Sequence, residues 1–258
     1  MTYAVIDDLK HALLAIGTDD ERSPKTVNNV LTVLRPMLVL AKKRGHIAVV
    51  PEFDWLPVEK PEFDFLTFEE ADRLVAGADD TGDWRTMIHL AMLTGLRQGE
   101  ILALRWDDVD LERARLNVVQ STSRKITTSP KSRKGRAVEL GATATALLRG
   151  QRHLRGPFVF CDESGNQLTD GECKHPLWRA CRRAKLRRIG WHVLRHTYAS
   201  HLAMLGASPK AIQEQLGHAT LEMTMRYMHL APATKAAAAR LLDRPAQKLP
   251  EHGKSGGT

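Results

Sequence analysis

Apolar residues recur at helical spacing over residues 5–16. A second helix is announced by Ser23-Pro24, a serine N-cap followed by a proline at the first helical position. In that helix Val27, Val30, Leu31, Leu34, Leu38 and Ala41 share one face and are expected to be buried. Lys42-Lys43-Arg44-Gly45 ends it, with cations at the helix C-terminus and a glycine stop. The period is then lost. Residues 46–66 carry Pro51, Pro57 and Pro61 and read as an extended linker, and Thr67-Phe-Glu-Glu70 opens the next helix as a capping box.

From there to residue 243 the pattern reads as one domain. An apolar helix over 83–94 stops at Gly95, and a short helix follows over 97–105. Asp107-Asp-Val-Asp110 is a turn. Strands are expected at 115–121, 123–128 and 136–140, with the basic turn 130–135 between the last two. Helices are expected at 142–153 and 170–185, with a short strand at 157–161 and a turn at 163–166 between them. Further helices span 192–205, 209–216 behind Ser208-Pro209, 220–229 and 232–243. Residues 244–258, rich in Pro, Gly and Lys, read as a disordered tail. The expected fold is mainly α with a small antiparallel sheet of three strands. Its domains would be a short helical segment over 1–50, a linker over 51–66, a large domain over 67–243 and the tail.

Composition narrows the partners. Lys and Arg outnumber Asp and Glu by 38 to 30, giving a net charge of +8, which favours a polyanionic partner. Aromatics make up only 5% of the chain, which argues against a rich base-stacking surface. Apolar runs are short and broken by charge, and the first residues lack a basic n-region and an apolar h-region, so neither a membrane span nor a secretory signal is expected. Cys161, Cys173 and Cys181 are odd in number, have no CxxC spacing, and read as free thiols of a reducing cytoplasm.

Several residues suit phosphoryl transfer, which needs a nucleophile, positive charge on the non-bridging oxygens and an acid for the leaving oxygen. Arg97 follows Gly95, where backbone can approach a phosphate closely, and Glu100 lies one helical turn on, in reach of its guanidinium. His192 and Arg195 share a helix face; near the helix start the dipole favours a neutral imidazole, able to accept a tyrosine proton. His192 and His196 also have the i,i+4 spacing of a helical metal site, but Val193 stands where such a motif has glutamate. His218 follows Gly217 at a helix end, and Tyr227 lies on a short helix beside Arg226 and His229. The carboxylates Asp79, Asp80, Asp107, Asp108 and Asp110 sit in turns without other ligands nearby. Cationic side chains are thus the better means of stabilising charge, with no metal or cofactor. Tyr198 is a competing nucleophile, and Met204, Met223, Met225 and Met228 read as helix-packing residues.

Together, Thr94-Gly-Leu-Arg97-Gln-Gly-Glu100, His192-Val-Leu-Arg195-His196, Leu216-Gly-His218 and Thr224-Met-Arg-Tyr227-Met-His229 resemble the catalytic domain of the tyrosine recombinases, or phage integrases, over about residues 66–243. The resemblance implies that Arg97 and Arg195 bind a scissile phosphate, His192 assists proton transfer and His218 hydrogen-bonds the phosphate. It implies that Tyr227 attacks to leave a 3′-phosphotyrosine and a free 5′-hydroxyl, with Glu100 supporting the first arginine. The family's general-acid lysine aligns best with Lys131, with Lys134 as its rival, and Arg133, Lys134 and Arg136 become candidate phosphate contacts.

Residues from Ser23 to about Pro51 are similar to the last long helix of the family's N-terminal DNA clamp, which makes Lys25, Asn28 and Asn29 candidate DNA contacts. Only a short helix precedes it, fewer than the family's four or five. The activity implied is site-specific strand exchange on double-stranded DNA with paired inverted half-sites. Two protomers would sit on each site and four in a synapse, the free chain being monomeric and cytoplasmic. The alternatives are a type IB topoisomerase, which shares these catalytic parts, and a non-catalytic DNA-binding remnant of a mobile element.

Overall fold

A computed structural model describes residues 2–15, 22–58, 63–79, 83–123, 126–128 and 135–232. The chain divides into two compact units, Met1–Glu62 and Phe63–Thr258. The first unit is a helix pair, α1 (Tyr3–Ala15) and α2 (Pro24–Lys43), with the Ser23 hydroxyl accepting from the Thr26 amide as N-cap. Ile6, Leu13, Val27, Leu31 and Leu38 form its core. Val30, expected in that core, is at the exposed edge of the helix face.

The segment read as a linker is divided between the units. Ile47, Val50, Phe53 and Leu56 pack on the helix pair, whereas Leu66 belongs to the core of the second unit. The Asn28 amide group fixes the first part: its Nδ2 donates to the Leu56 carbonyl at 2.9 Å and its Oδ1 accepts from the Leu56 amide at 3.0 Å. Asn28, expected at DNA, therefore has both ends of its amide engaged by backbone. Lys25 and Asn29 are exposed.

The second unit begins with α3 (Phe68–Gly77), opened by the complete Thr67/Glu70 capping box, and α4 (Trp84–Thr94), closed by Gly95 in the left-handed region. α5 (Gln98–Leu102) is shorter than expected. The aspartate-rich turn is a 3-10 turn over Trp106–Asp108 leading into β1 (Val109–Asp110). β2 (Arg115–Val118), β3 (Ser121–Ser123), β4 (Ile126–Thr128) and β5 (Arg136–Glu139) follow. The three-stranded antiparallel sheet is β1-β2-β5, with Leu116 opposite Val138, while β3 and β4 form a separate hairpin. The expected strand 115–121 is thus two strands. β2 buries Leu116 and Val118 in the core, whereas β3 serves α5: a Cβ on Gly99 would lie 2.3 Å from the Thr122 carbonyl oxygen.

Residues 157–161 do not form the expected strand. Their backbone pairs with the chain after α5, through Trp106 N–H to Pro157 O and Val159 N–H to Leu104 O, both 2.9 Å. α6 (Ala142–Gln151) and α7 (Lys174–Arg183) flank this segment. α7 starts later than residue 170 because Thr169 and Glu172 close a turn first. α8 (Trp191–Met204), α9 (Pro209–Leu216) and α10 (Glu222–Met225) complete the described unit, and a 3-10 turn spans Met228–Leu230. The expected helix 220–229 is therefore broken at Tyr227. With Thr224 and Tyr227 taking the buried positions, Met223 and Met225 point to solvent, contrary to their reading as packing residues. The expectations for 232–243 and 244–258 lie outside the described residues after residue 232.

The main core packs Leu74, Met87, Ile88, Leu90, Ile101 and Leu194, among others, between α3, α4, α5 and α8. A smaller cluster joins Tyr198, Ala199 and Ala203 of α8 to Ile212 and Leu216 of α9 and to Tyr227. α8 is thus buried along much of its length, a rigid base for the side chains it presents. The three cysteines are free and buried. Among the described residues no helix is long and apolar enough to cross a membrane.

Candidate active site

Two glycines in left-handed conformation shape the site. Gly95 caps α4, and a Cβ there would meet the Tyr198 ring at 2.4 Å, so the chain must turn here without a side chain. That turn delivers Arg97 to the N-cap of α5. Gly217 caps α9, and a Cβ there would lie 2.6 Å from Cδ of Arg136, which crosses over it.

Glu100 is almost fully buried and gathers two arginines. The Arg97 backbone N–H and Nη1 each donate to its carboxylate at 2.9 Å, and Arg136 donates from both terminal nitrogens at 2.8 Å. Burial alone would raise the Glu100 carboxyl. The hydrogen bonds and charge of Arg136, with the Arg97 contacts, outweigh burial and hold it down to about 2. Arg136 was expected as a solvated phosphate contact. It is turned inward instead, bidentate on Glu100 and bonded through Nε to the Gln215 carbonyl, and joins β5 to the end of α9.

Because the Glu100 carboxyl is depressed, its contribution to stability is fully present above its unfolded value of about 4.3 and is lost as pH falls towards about 2. Glu100→Gln is expected to cost on the order of 3 kcal/mol at neutral pH. In denaturant titrations at stepped pH the gap from wild type should narrow steadily below about pH 4.5. A gap that stays constant down to pH 2 would contradict the ion-pair account.

Arg195 is 2% exposed. Its Nη1 donates to the Gly95 carbonyl and its Nη2 to the Leu216 carbonyl, both at 2.7 Å, so one guanidinium satisfies the ends of α4 and α9. Burial, then the charges of Arg97 and Arg136, lower it to about 9 against the pull of Glu100 and Tyr227, and it stays cationic at neutral pH. Guanidinium has five N–H donors, which leaves capacity for an anion. The half-exposed Arg97 side chain offers the same.

His218, next to Gly217, has its Nδ1 2.9 Å from the Thr224 hydroxyl. Burial, then Arg195 and Arg97, depress it to about 4, so the ring is neutral at physiological pH. His192 is lowered by burial and by Arg195, Arg97 and Arg226. Tyr227 is 2% exposed, with its ring nearly parallel to that of His218 at 6.3 Å between centroids and the edge of Phe63 against it at 4.8 Å. Burial raises its hydroxyl, against the opposing charges of Arg226 and Arg195.

Residues 97, 192, 195, 218 and 227 thus share one region although more than half of the unit's sequence separates the first from the last. Tyr198, the competing nucleophile, is instead buried against Gly95, and burial pushes it up to about 12. Among the described residues no three His, Cys, Asp or Glu side chains are grouped to hold a metal ion. The expected roles of Lys131, Arg133 and Lys134 fall on residues outside those described.

One contact was not foreseen: the Tyr227 hydroxyl lies 2.6 Å from Nδ1 of His196, whose ring the His192 ring meets edge-on at 4.4 Å. Two further residues had no assigned place. Phe63, inside the expected linker, touches Tyr227, His196 and His229, and Arg226 stacks over it at 5.1 Å. The aromatic residue before the capping box was the available signal for Phe63.

Residues 64–234 match the model of the phage integrase family. The chain is 30% identical over 218 residues to the tyrosine recombinase XerC of Xanthomonas campestris pv. campestris, covering 81% of this chain and 65% of that protein. It therefore spans just under two thirds of the length of that relative. The catalytic domain of bacteriophage HP1 integrase is 30% identical, with a TM-score of 0.56 over 72% of this chain and all of that one. The Tn1549 transposon integrase, solved with a circular intermediate DNA, shares the fold with a TM-score of 0.76 at 21% identity, covering 93% of this chain and 85% of that one.

Proposed function

The chain belongs to the phage integrase family, and from that membership we propose that it cuts and rejoins double-stranded DNA at specific sites by transesterification onto Tyr227. The observation that carries this reading is the grouping of Tyr227 with Arg195, which in turn lies within the field of Arg97, each arginine being held by partners of its own: Arg97 by Glu100, and Arg195 by the carbonyls of Gly95 and Leu216. The Tyr227 oxygen bonds to phosphorus, and the bond from phosphorus to the 5′-oxygen breaks. Arg97 and Arg195 balance the charge on the non-bridging oxygens, and neutral His218 donates a hydrogen bond through Nε2 while Nδ1 accepts from Thr224. Fixed donors of this kind favour the charge that develops in the transition state. Lys131, with Lys134 as rival, protonates the leaving 5′-oxygen. The phosphotyrosine conserves the bond, so a 5′-hydroxyl from another strand can reverse the step without ATP or a metal ion.

The partner in this reading is duplex DNA with paired inverted half-sites, bound by two protomers per site and four in the synapse, the free chain being a cytoplasmic monomer. Lys25 and Asn29 on the exposed part of α2, and Arg133 and Lys134, contact phosphates. The test is incubation of the chain, in excess chelator, with a pool of nicked duplexes carrying a randomised core. The nick lets the cut fragment diffuse away and prevents reversal. Detergent-resistant protein–DNA adducts should form, the captured duplexes should converge on inverted half-sites, and binding should weaken steeply with salt. Adducts that need added magnesium would overturn the mechanism. Adducts without sequence convergence, accompanied by relaxation of any supercoiled plasmid, would favour a topoisomerase. Binding without adducts would favour a non-catalytic DNA-binding protein.

A further inference from the structure

We infer that His196 is a catalytic residue: through Nδ1 it holds the Tyr227 hydroxyl and takes its proton as the tyrosine attacks phosphorus. The inference rests on the recombinase reading and adds to it a proton acceptor other than His192.

The geometry is specific. At 2.6 Å, the contact with Nδ1 of His196 is the hydrogen bond of the Tyr227 hydroxyl among the described residues. If Nδ1 carried the proton, the buried O–H would be left without an acceptor, so the hydroxyl donates and the His196 proton sits on Nε2. The His192 ring meets His196 edge-on at 4.4 Å, while the hydrogen bond to the Tyr227 hydroxyl is made by His196. Phe63 packs against both His196, at 5.5 Å, and Tyr227, at 4.8 Å, and holds the two rings as a pair.

The charged surroundings let the pair respond to substrate. His196 is held down to about 4 by burial, then by His192, Arg226 and Arg195, with Asp64 opposing; His218 is the other titratable ring nearby. In the free chain the proton therefore stays on Tyr227, which keeps the nucleophile idle. A phosphodiester anion on Arg97 and Arg195 adds negative charge beside His196 and offsets the charge of Arg195, one of the causes that disfavour an imidazolium. The proton then passes from the tyrosine oxygen to Nδ1 as the oxygen–phosphorus bond forms and the 5′-oxygen departs with a proton from its own acid. In the reverse step the imidazolium returns the proton to the departing tyrosine.

Two measurements test this. In the free chain, nitrogen NMR of labelled histidine should show His196 as the Nε2–H tautomer. Tyr227→Phe should raise its pKa, because a bond donated to the neutral ring is removed. An Nδ1–H tautomer, or an unchanged titration, would overturn the hydrogen-bond assignment. On nicked duplex captured by the wild-type chain, His196→Ala and His196→Asn should both slow single-turnover cleavage by about 100-fold or more. Asparagine can accept the hydrogen bond near the Nδ1 position but cannot take the proton. A 5′-bridging phosphorothiolate, whose leaving sulfur needs little protonation, should rescue neither variant. If His196→Asn cleaves like wild type, or either variant is rescued by sulfur, His196 is not the proton acceptor. A wild-type chain that forms no adduct overturns the recombinase reading and the proton transfer with it, while the NMR arm still decides the hydrogen bond.

Discussion

Replacing Arg195 with lysine will reduce adduct formation by about 1,000-fold, the upper range for loss of one fixed donor to a developing charge, and will also destabilise the fold. The two effects have one cause. The guanidinium spans the Gly95 and Leu216 carbonyls while keeping further N–H groups for the phosphate. An ammonium on a flexible stem cannot hold both carbonyls and present a planar pair of donors. A buried carbonyl left without a partner costs about 1–3 kcal/mol, so the midpoint in denaturant should fall together with activity. Urea titration and single-turnover cleavage on captured duplex separate the two. An Arg195→Lys chain that is folded, destabilised and cleaves within tenfold of wild type would contradict the role given to the guanidinium.

Tyr227→Phe is expected to abolish adducts altogether while leaving duplex affinity unchanged. Only the hydroxyl oxygen is removed. The ring that packs against Phe63 and lies beside His218 remains, and the groups assigned to phosphate binding are elsewhere. The group left without its partner is the neutral Nδ1 of His196, so no charge is stranded in the interior. Gel-shift titration beside a covalent-capture assay checks both halves. Weakened binding would mean that the hydroxyl itself helps to hold DNA.

The elements that position the site were legible where the signal is local. Ser23-Pro24, the Thr67/Glu70 box, Gly95 and Gly217 end or begin helices through bonds within a few residues, and each does so as its sequence suggests. The match of Arg97 to Glu100 was legible for the same reason, being a contact three residues apart. Arg136 was not, because its partner is 36 residues earlier and a basic strand end looks solvated whichever way its side chains turn. The contact of Asn28 was hidden for the same reason: an exposed-looking amide on a helix gives no sign that Leu56 will lie across it. His196 was visible only as half of an i,i+4 histidine pair. Its meaning depends on the break between α10 and the following 3-10 turn, which brings Tyr227 to the helix that presents His196. Periodicity extended through residues 220–229 cannot show that break, and for the same reason it misplaced Met223 and Met225.

The chain contains three tyrosines, and the account assigns them different states. Tyr3 is exposed and bonded to Asp54, Tyr198 is buried against Gly95 and protonated well into alkaline pH, and Tyr227 lies among the cations with its hydroxyl on His196. The most direct measurement is mass mapping of the covalent adduct formed in excess chelator, after nuclease trimming and proteolysis. The account predicts a nucleotide remnant on the peptide containing Tyr227, joined through a 3′-phosphate. A remnant on Tyr198, on Tyr3 or on a serine, or a 5′-phosphate linkage, would contradict it.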